Sequence, residues 1–265
     1  MNMNMNNIHF LILNMNKNKD RWQKMVNILN KLNISYSRIE AVDGFKLEKN
    51  NDSIVKHILS KRNDLINTVL KCNTFDQSWN YDGTIKTSFP GLNINGNEGA
   101  KGLIISNMKA FDDCLKINNE YIYGLNDDNT KQINEYHSYL DNNFDFYKYQ
   151  WFCILEDDAI LSSDVLKKIE DFLNDISQNN DKTDIILLDN RIGGGAAGVL
   201  YNSKIINKLR KDLHPLSDFS ITMEEKYKHS PLWDWKLWFY VNNNNINYKI
   251  LPCIQSGEFT STIDI

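Results

Sequence analysis

A chain of 265 residues, 42% hydrophobic and 11% aromatic, can bury one large α/β core or two small ones. Its formal net charge of -4, with no stretch dense in Lys or Arg, argues against nucleic acid as a partner. The four cysteines, Cys72, Cys114, Cys153 and Cys253, form no CxxC pair, which disfavours a zinc site and fits a reducing compartment.

Residues 1–7 alternate Met and Asn and read as a disordered lead-in. Asn is abundant throughout, a codon bias of AT-rich genomes such as those of parasites, amoebae or giant viruses. The first apolar run, 8–13, is too short for a membrane span and lacks the basic flank of a signal peptide. A cytoplasmic protein is therefore expected.

That run reads as a buried strand. Residues 20–32 follow with Trp22, Met25, Val26, Leu29 and Leu32 at helical spacing, and 36–41 as a second short strand. Strand, loop, helix and strand make a parallel βαβ unit. Residues 52–71 have helical spacing, and 74–96 read as a loop. A further helix is expected at about 99–117, with Leu103, Ile104, Met108, Phe111 and Leu115 on its apolar face.

The polar and aromatic stretch 118–149 reads as an insertion in a single domain running over 8–265. Strand 151–155, helix 163–176, strand 184–188, short strand 199–201, helix 203–213 and an aromatic-rich helix 231–241 complete the chain. This alternation predicts an α/β fold of Rossmann-like type with a mostly parallel central sheet.

The acids Glu156, Asp157 and Asp158 end the strand that begins at Trp151. Ligands of open α/β sheets sit beyond the carboxyl ends of strands. Three adjacent acids repel one another unless a cation or hydrogen bonds compensate. Mg²⁺ or Mn²⁺ would do so, accepting carboxylate and phosphate oxygens together. In an extended segment Glu156 and Asp158 share one side and Asp157 faces the other. The plainer alternative is that these acids cap the following helix.

Asn14 to Arg21 form a loop of amides and cations after the first strand, suited to a base, a ribose or a diphosphate, or simply a solvated connection. No Gly-x-Gly-x-x-Gly is present, so a dinucleotide site is disfavoured. Asp234 stands among Leu232, Trp233, Trp235 and Trp238. Partial desolvation there would raise its basicity and suit a general base; a helix N-terminal acid packed among aromatics is the alternative. The run Gly193 to Gly198 lets the backbone approach a ligand closely, or is a plain turn. His9, His57, His137, His214 and His229 show no metal-ligand spacing and read as structural or exposed.

Taken in order, these segments resemble glycosyltransferase family 25, which includes lipooligosaccharide and procollagen galactosyltransferases. The resemblance runs from the strand and loop ending at Arg21, through Ala41-Val42-Asp43-Gly44 and Ile105-Ser106-Asn107-Met108-Lys109-Ala110-Phe111, to Ile154-Leu155-Glu156-Asp157-Asp158. It continues through 195–202, Pro231-Leu232-Trp233-Asp234-Trp235-Lys236-Leu237-Trp238 and 252–263. Asn107 stands where the family has His, and Val199 where it has Tyr.

The resemblance implies a GT-A type domain that uses a UDP-sugar and Mn²⁺ (or Mg²⁺). The transferred hexose is expected to be galactose, with glucose next. The acceptor is a collagen-like hydroxylysine or a glycan. Glu156 and Asp158 are expected as metal ligands and Asp234 as catalytic base. Asn14, Arg21, Asp43, Gly44, Ser106, Asn107 and Asp157 are expected as nucleotide-sugar contacts, and Gln255 and Glu258 as further partners of the metal site. Two other classes stay open: a glycosyltransferase-like module that binds nucleotide or glycan without turnover, and a metal-dependent phosphohydrolase.

Overall fold

The computed structural model of the chain describes residues 7–43, 98–123, 147–189, 197–213 and 233–256. The expected helix 52–71, the loop 74–96, most of the insertion 118–149, and Gly44, Gly193, Gly194, Gly195 and Glu258 lie outside the described residues.

Six strands form one mixed sheet in the order β2-β1-β3-β6-β5-β7. They are β1 (Ile8–Asn14), β2 (Tyr36–Glu40), β3 (Trp151–Glu156), β5 (Ile185–Leu187), β6 (Gly198–Asn202) and β7 (Tyr248–Ile250). Every strand but β6 runs the same way; β6 is antiparallel to both β3 and β5. The expected mostly parallel α/β sheet is therefore present, with one reversed strand inside it. A separate antiparallel ribbon pairs β4 (Ala159–Leu161) with β8 (Ile254–Ser256).

Sheets covered on both faces need strands that are apolar at every position. β1 comes close: all seven of its residues are buried, and all but His9 and Asn14 are apolar. Its pleat divides them. Ile8, Phe10 and Ile12 pack with Met25 and Leu29 of α1 (Lys19–Lys31) and with Val165, Ile169 and Leu173 of α3 (Val165–Gln178). Leu11 and Leu13 join the opposite cluster. That cluster is built by Met108 and Phe111 of α2 (Glu98–Tyr123), Ile206 and Leu209 of α4 (Ser203–Asp212), and Trp233 and Leu237 of α5 (Trp233–Asn243). Helices thus cover both faces of the sheet.

α2 continues six residues past the expected end at 117, into the segment read as an insertion. Asn118, the first residue past the expected end, is buried and satisfied. Its Nδ2 donates to Ser203 Oγ at 3.2 Å and to the Tyr149 carbonyl at 3.3 Å, and its Oδ1 accepts from Tyr149 N at 3.1 Å. The two ends of the expected insertion are therefore joined to each other. α2 is tied to α4 by the fully buried Arg210, whose Nε donates to Asp112 Oδ1 at 2.8 Å. Asn7, assigned by sequence to the lead-in, accepts from Gln150 N at 2.9 Å and belongs to the fold.

Gly198 opens β6 opposite Leu155. A Cβ built there would lie 2.7 Å from both Leu155 Cδ2 and Ile254 Cδ1. At this end of the glycine run the small residue serves the packing of β3 against the β4–β8 ribbon. The three strands that sequence periodicity did not predict, β4, β7 and β8, are each three residues long. Three residues are too few to establish a period of two.

Candidate functional site

β1 has β2 on one side and β3 on the other, both parallel to it. The chain runs from β1 outward to β2 and then back across to β3. This is a topological switch point, where the two connections diverge and leave a crevice at the carboxyl ends of the strands. The last register pair between β1 and β3 is Leu13 with Glu156. The next residues are Asn14, the last of β1, and Asp157, the first beyond β3, so the ladder delivers those side chains to the mouth of the crevice together.

They meet there. Asn14 is fully buried, and its Nδ2 donates to Asp157 Oδ2 at 2.6 Å and to the Asn18 carbonyl at 3.1 Å. Asn18 occupies the N-cap position of α1 without capping through its side chain. Its Nδ2 lies instead 3.4 Å from Asp157 Oδ2. An N-cap amide commonly accepts from the first turn of its helix; here it faces a carboxylate. Arg21, in the first turn of α1, places Nη1 3.4 Å from Asp157 Oδ1 and 3.6 Å from Asp158 Oδ2. The positive end of the α1 dipole adds to the attraction.

This arrangement corrects the expected geometry of the acidic triplet. β3 ends at Glu156, and Asp157 and Asp158 form the turn into β4. Strand alternation stops at the turn. Asp157 and Asp158 consequently face one guanidinium, where an extended chain would have turned them apart. Asp157 is held by three protein donors: two amides and Arg21. Asp158 is closer to the surface, its side chain 20% exposed against 9% for Asp157, with Oδ1 shielded from solvent.

Among the described residues, no group of three or more His, Cys, Asp or Glu side chains is arranged to hold a metal ion. A cation shared with a substrate diphosphate needs fewer protein ligands, since Mg²⁺ commonly takes one or two carboxylates and fills its shell with phosphate and water. Glu156, at the end of β3, and Asp158, in the turn after it, are carboxylates of the kind such a set draws on.

Around this centre the other expected residues divide. Asp43 pairs with Lys17 at 3.2 Å, joining the end of β2 to the β1 loop. Ser106 is buried; its Oγ accepts from Val42 N at 2.8 Å and donates to the Gly102 carbonyl at 2.7 Å. It fastens α2 to the segment after β2. Asn107 is also buried, and its Nδ2 donates to the Leu103 carbonyl one turn back at 3.0 Å. Gln255 is exposed in β8, opposite Ile160.

Asp234 lies in the first turn of α5 with Oδ1 shielded from solvent. Burial first, and the Asp234 carboxylate as well, hold the Tyr201 phenol well above its ordinary pKa. Tyr201 is paired with Phe152, three ladder steps from the Leu155–Gly198 pair at the crevice end. Three steps along a strand are about 10 Å.

Two participants escaped sequence reasoning. Asn18 sat within an Asn-rich loop, and its place just before a helix was the available signal. Arg38 lay inside the strand 36–41; its guanidinium donates to Asn14 and Asn16. Of the histidines, His9 is structural as expected: its ring nitrogens lie 2.9 Å from Ser35 Oγ and 2.8 Å from Ser37 Oγ. Cys153 is fully buried, and burial pushes its thiol well above the ordinary pKa. No helix among the described residues is long and apolar enough to cross a membrane. No model of a known protein family matches this chain, and no curated protein matches it.

Proposed function

We propose that this chain is an inverting, metal-dependent glycosyltransferase of family 25 type, built on a GT-A type domain, that moves a hexose from a UDP-sugar to a hydroxyl acceptor. One observation carries the reading. Asn14, Arg21, Asp157 and Asp158 were marked from two segments far apart in sequence, and they converge at the switch-point crevice. The mixed sheet, with ligand-competent acids at the end of β3, is compatible with the GT-A assignment.

In this reading Asp157 is an anchor. Asn14, Asn18 and Arg21 hold its carboxylate and fix the turn that carries Asp158. Glu156 and Asp158 would hold a divalent cation, Mn²⁺ or Mg²⁺, which would supply positive charge to offset the negative charge of the leaving UDP. The acceptor hydroxyl oxygen bonds to the anomeric carbon as the bond from that carbon to the UDP oxygen breaks. The hydroxyl proton passes to the Asp234 carboxylate, and the configuration inverts. Asp43 lines the nucleotide side through its pairing with Lys17 in the β1 loop. Galactose is the first donor sugar to try and glucose the second; a collagen-like hydroxylysine or a glycan is the acceptor.

The deciding experiment is a UDP-release screen across UDP-sugars, with and without acceptors, in Mn²⁺ and in chelator. Release that needs both Mn²⁺ and an acceptor supports transfer. Release without acceptor supports a phosphohydrolase, and no release with any donor removes the enzymatic reading.

Asn107 favours a second reading. Where the family carries His, this chain has an amide engaged by its own helix backbone at Leu103. Val199, where the family carries Tyr, is a core residue beside Ile154 and Leu187. A glycosyltransferase-like module that binds nucleotide or glycan without turnover fits both. Calorimetry with UDP and Mn²⁺ that gives binding, beside a UDP-release screen that gives none, would select it.

A further inference from the structure

Arg38 stands in β2 opposite Ile12 of β1. Its Nε and Nη2 donate to Asn14 Oδ1 at 3.0 and 2.6 Å, and Nη2 also donates to Asn16 Oδ1 at 2.9 Å. The guanidinium lies 5.2 Å from the centroid of the Trp22 ring. These contacts are all to neutral groups, and each amide relays onward to a carboxylate. Asn14 Nδ2 reaches Asp157, and Asn16 Nδ2 reaches Glu40 Oε1.

We propose that Arg38 is a positioning residue for the crevice: by taking the Asn14 carbonyl oxygen in a two-pronged grip, it sets which way the Asn14 amide faces. An amide has one acceptor end and one donor end. Turned over, Asn14 would put its NH₂ against the guanidinium and its oxygen against the Asp157 carboxylate, and both contacts would be repulsive. Arg38 and Asp157 therefore select the same orientation from opposite sides. Trp22 holds the flat guanidinium from α1, a contact that suits a planar cation better than an ammonium. Asp157 shares Arg21 with Asp158. The Arg38 grip thus reaches the carboxylate assigned to the cation through Asn14, Asp157 and Arg21. This inference rests on the proposed nucleotide reading for its consequence, and on geometry alone for the amide.

The test compares native protein with Arg38→Gln and Arg38→Lys. Three quantities are measured: hydrogen exchange of the Asn14 side-chain amide by NMR, UDP affinity in Mn²⁺ by calorimetry, and melting temperature. In Arg38→Gln the Asn14 amide is expected to exchange on the order of tenfold faster, and UDP to bind on the order of tenfold more weakly, a change of about 1.4 kcal/mol. Arg38→Lys keeps the charge without the fork and is expected to recover part of both losses. A merely structural role would lower the melting temperature and leave the affinity of the folded protein unchanged. An Asn14 amide that exchanges in Arg38→Gln as it does in native protein overturns the proposal, whatever happens to UDP. If native protein binds no UDP yet its Asn14 amide depends on Arg38, positioning stands and the nucleotide reading fails.

Discussion

Asn14 and Asp157, 143 positions apart in sequence, meet at 2.6 Å where the carboxyl ends of β1 and β3 lie side by side. Asn14 is fully buried and uses both ends of its amide, so its removal strands three partners: Asp157, the Asn18 carbonyl and Arg38. A buried group left without its hydrogen bond costs about 1–3 kcal/mol. Asn14→Ala is therefore expected to lower the melting temperature by about 2–4 °C for each kcal/mol lost. A double-mutant cycle with Asp157→Asn should show coupling in the range of about 0.5–3 kcal/mol, since the two groups are in direct contact. Strictly additive effects in denaturant melts would mean that the contact is energetically silent.

Asp157 and Asp158 are neighbours with different surroundings, and their variants should separate. Asp158→Ala is expected to abolish Mn²⁺-dependent UDP binding with little loss of stability, because its side chain is partly exposed. Calorimetry that finds unchanged binding would remove Asp158 from the metal role. Asp234→Asn should keep UDP binding and lose about 10²–10⁴-fold in turnover, the usual worth of a general base. Near-native turnover in that variant would release Asp234 to a packing role beside Tyr201.

The elements with long apolar periods were legible in sequence: β1, β3 and the helices α1, α3 and α4 fall close to their expected bounds. Their patterns are long enough for burial to impress a period on them. β4, β7 and β8 are three residues long, too short to show a period; β5 is as short and was legible only as part of the apolar run 185–188. At the site, Asn14, Arg21 and the acidic triplet were legible as chemistry. Their pairing was not, because it depends on the β1–β3 register and on a turn that ends the alternation after Glu156. Arg38 was hidden for a different reason: it is exposed in a short strand, and its partners are the last residue of the neighbouring strand, the loop beyond it and the Trp22 ring.

Gly198 offers a test of packing at the rim of the same crevice. An added methyl would meet Leu155 and Ile254 at 2.7 Å. Both contacting atoms are ends of side chains, but both residues are buried, at 0% and 4% exposure, so neither has open space to move into. Overpacking of this kind costs about 1–3 kcal/mol. Gly198→Ala should therefore lower stability by that amount in denaturant melts. Pairing it with Ile254→Val, which removes the contacting Cδ1, should recover part of the loss. An unchanged midpoint for Gly198→Ala alone would show that β8 shifts freely away from β6.

His9 gives the fold a pH dependence of defined sign. It is buried at the opposite end of β1 from Asn14, between Ser35 and Ser37. Burial first, and then the nearby Lys148 ammonium, lower its pKa from 6.5 to about 4. Between those values the unfolded chain binds a proton that the folded chain refuses, so stability rises with pH across the window. The contribution is complete above about pH 6.5 and is lost as the pH falls toward about 4. The limiting slope is about 1.4 kcal/mol per pH unit, and the total over the window is about 3 kcal/mol. Denaturant melts from pH 7 to pH 4 should show this decline in native protein. His9→Asn, which cannot take up the proton, should start less stable and flatten the curve over the same range. An equal decline in the variant would assign the acid sensitivity to carboxylates elsewhere, and His9 would then be a neutral strut between two serine hydroxyls at every pH tested.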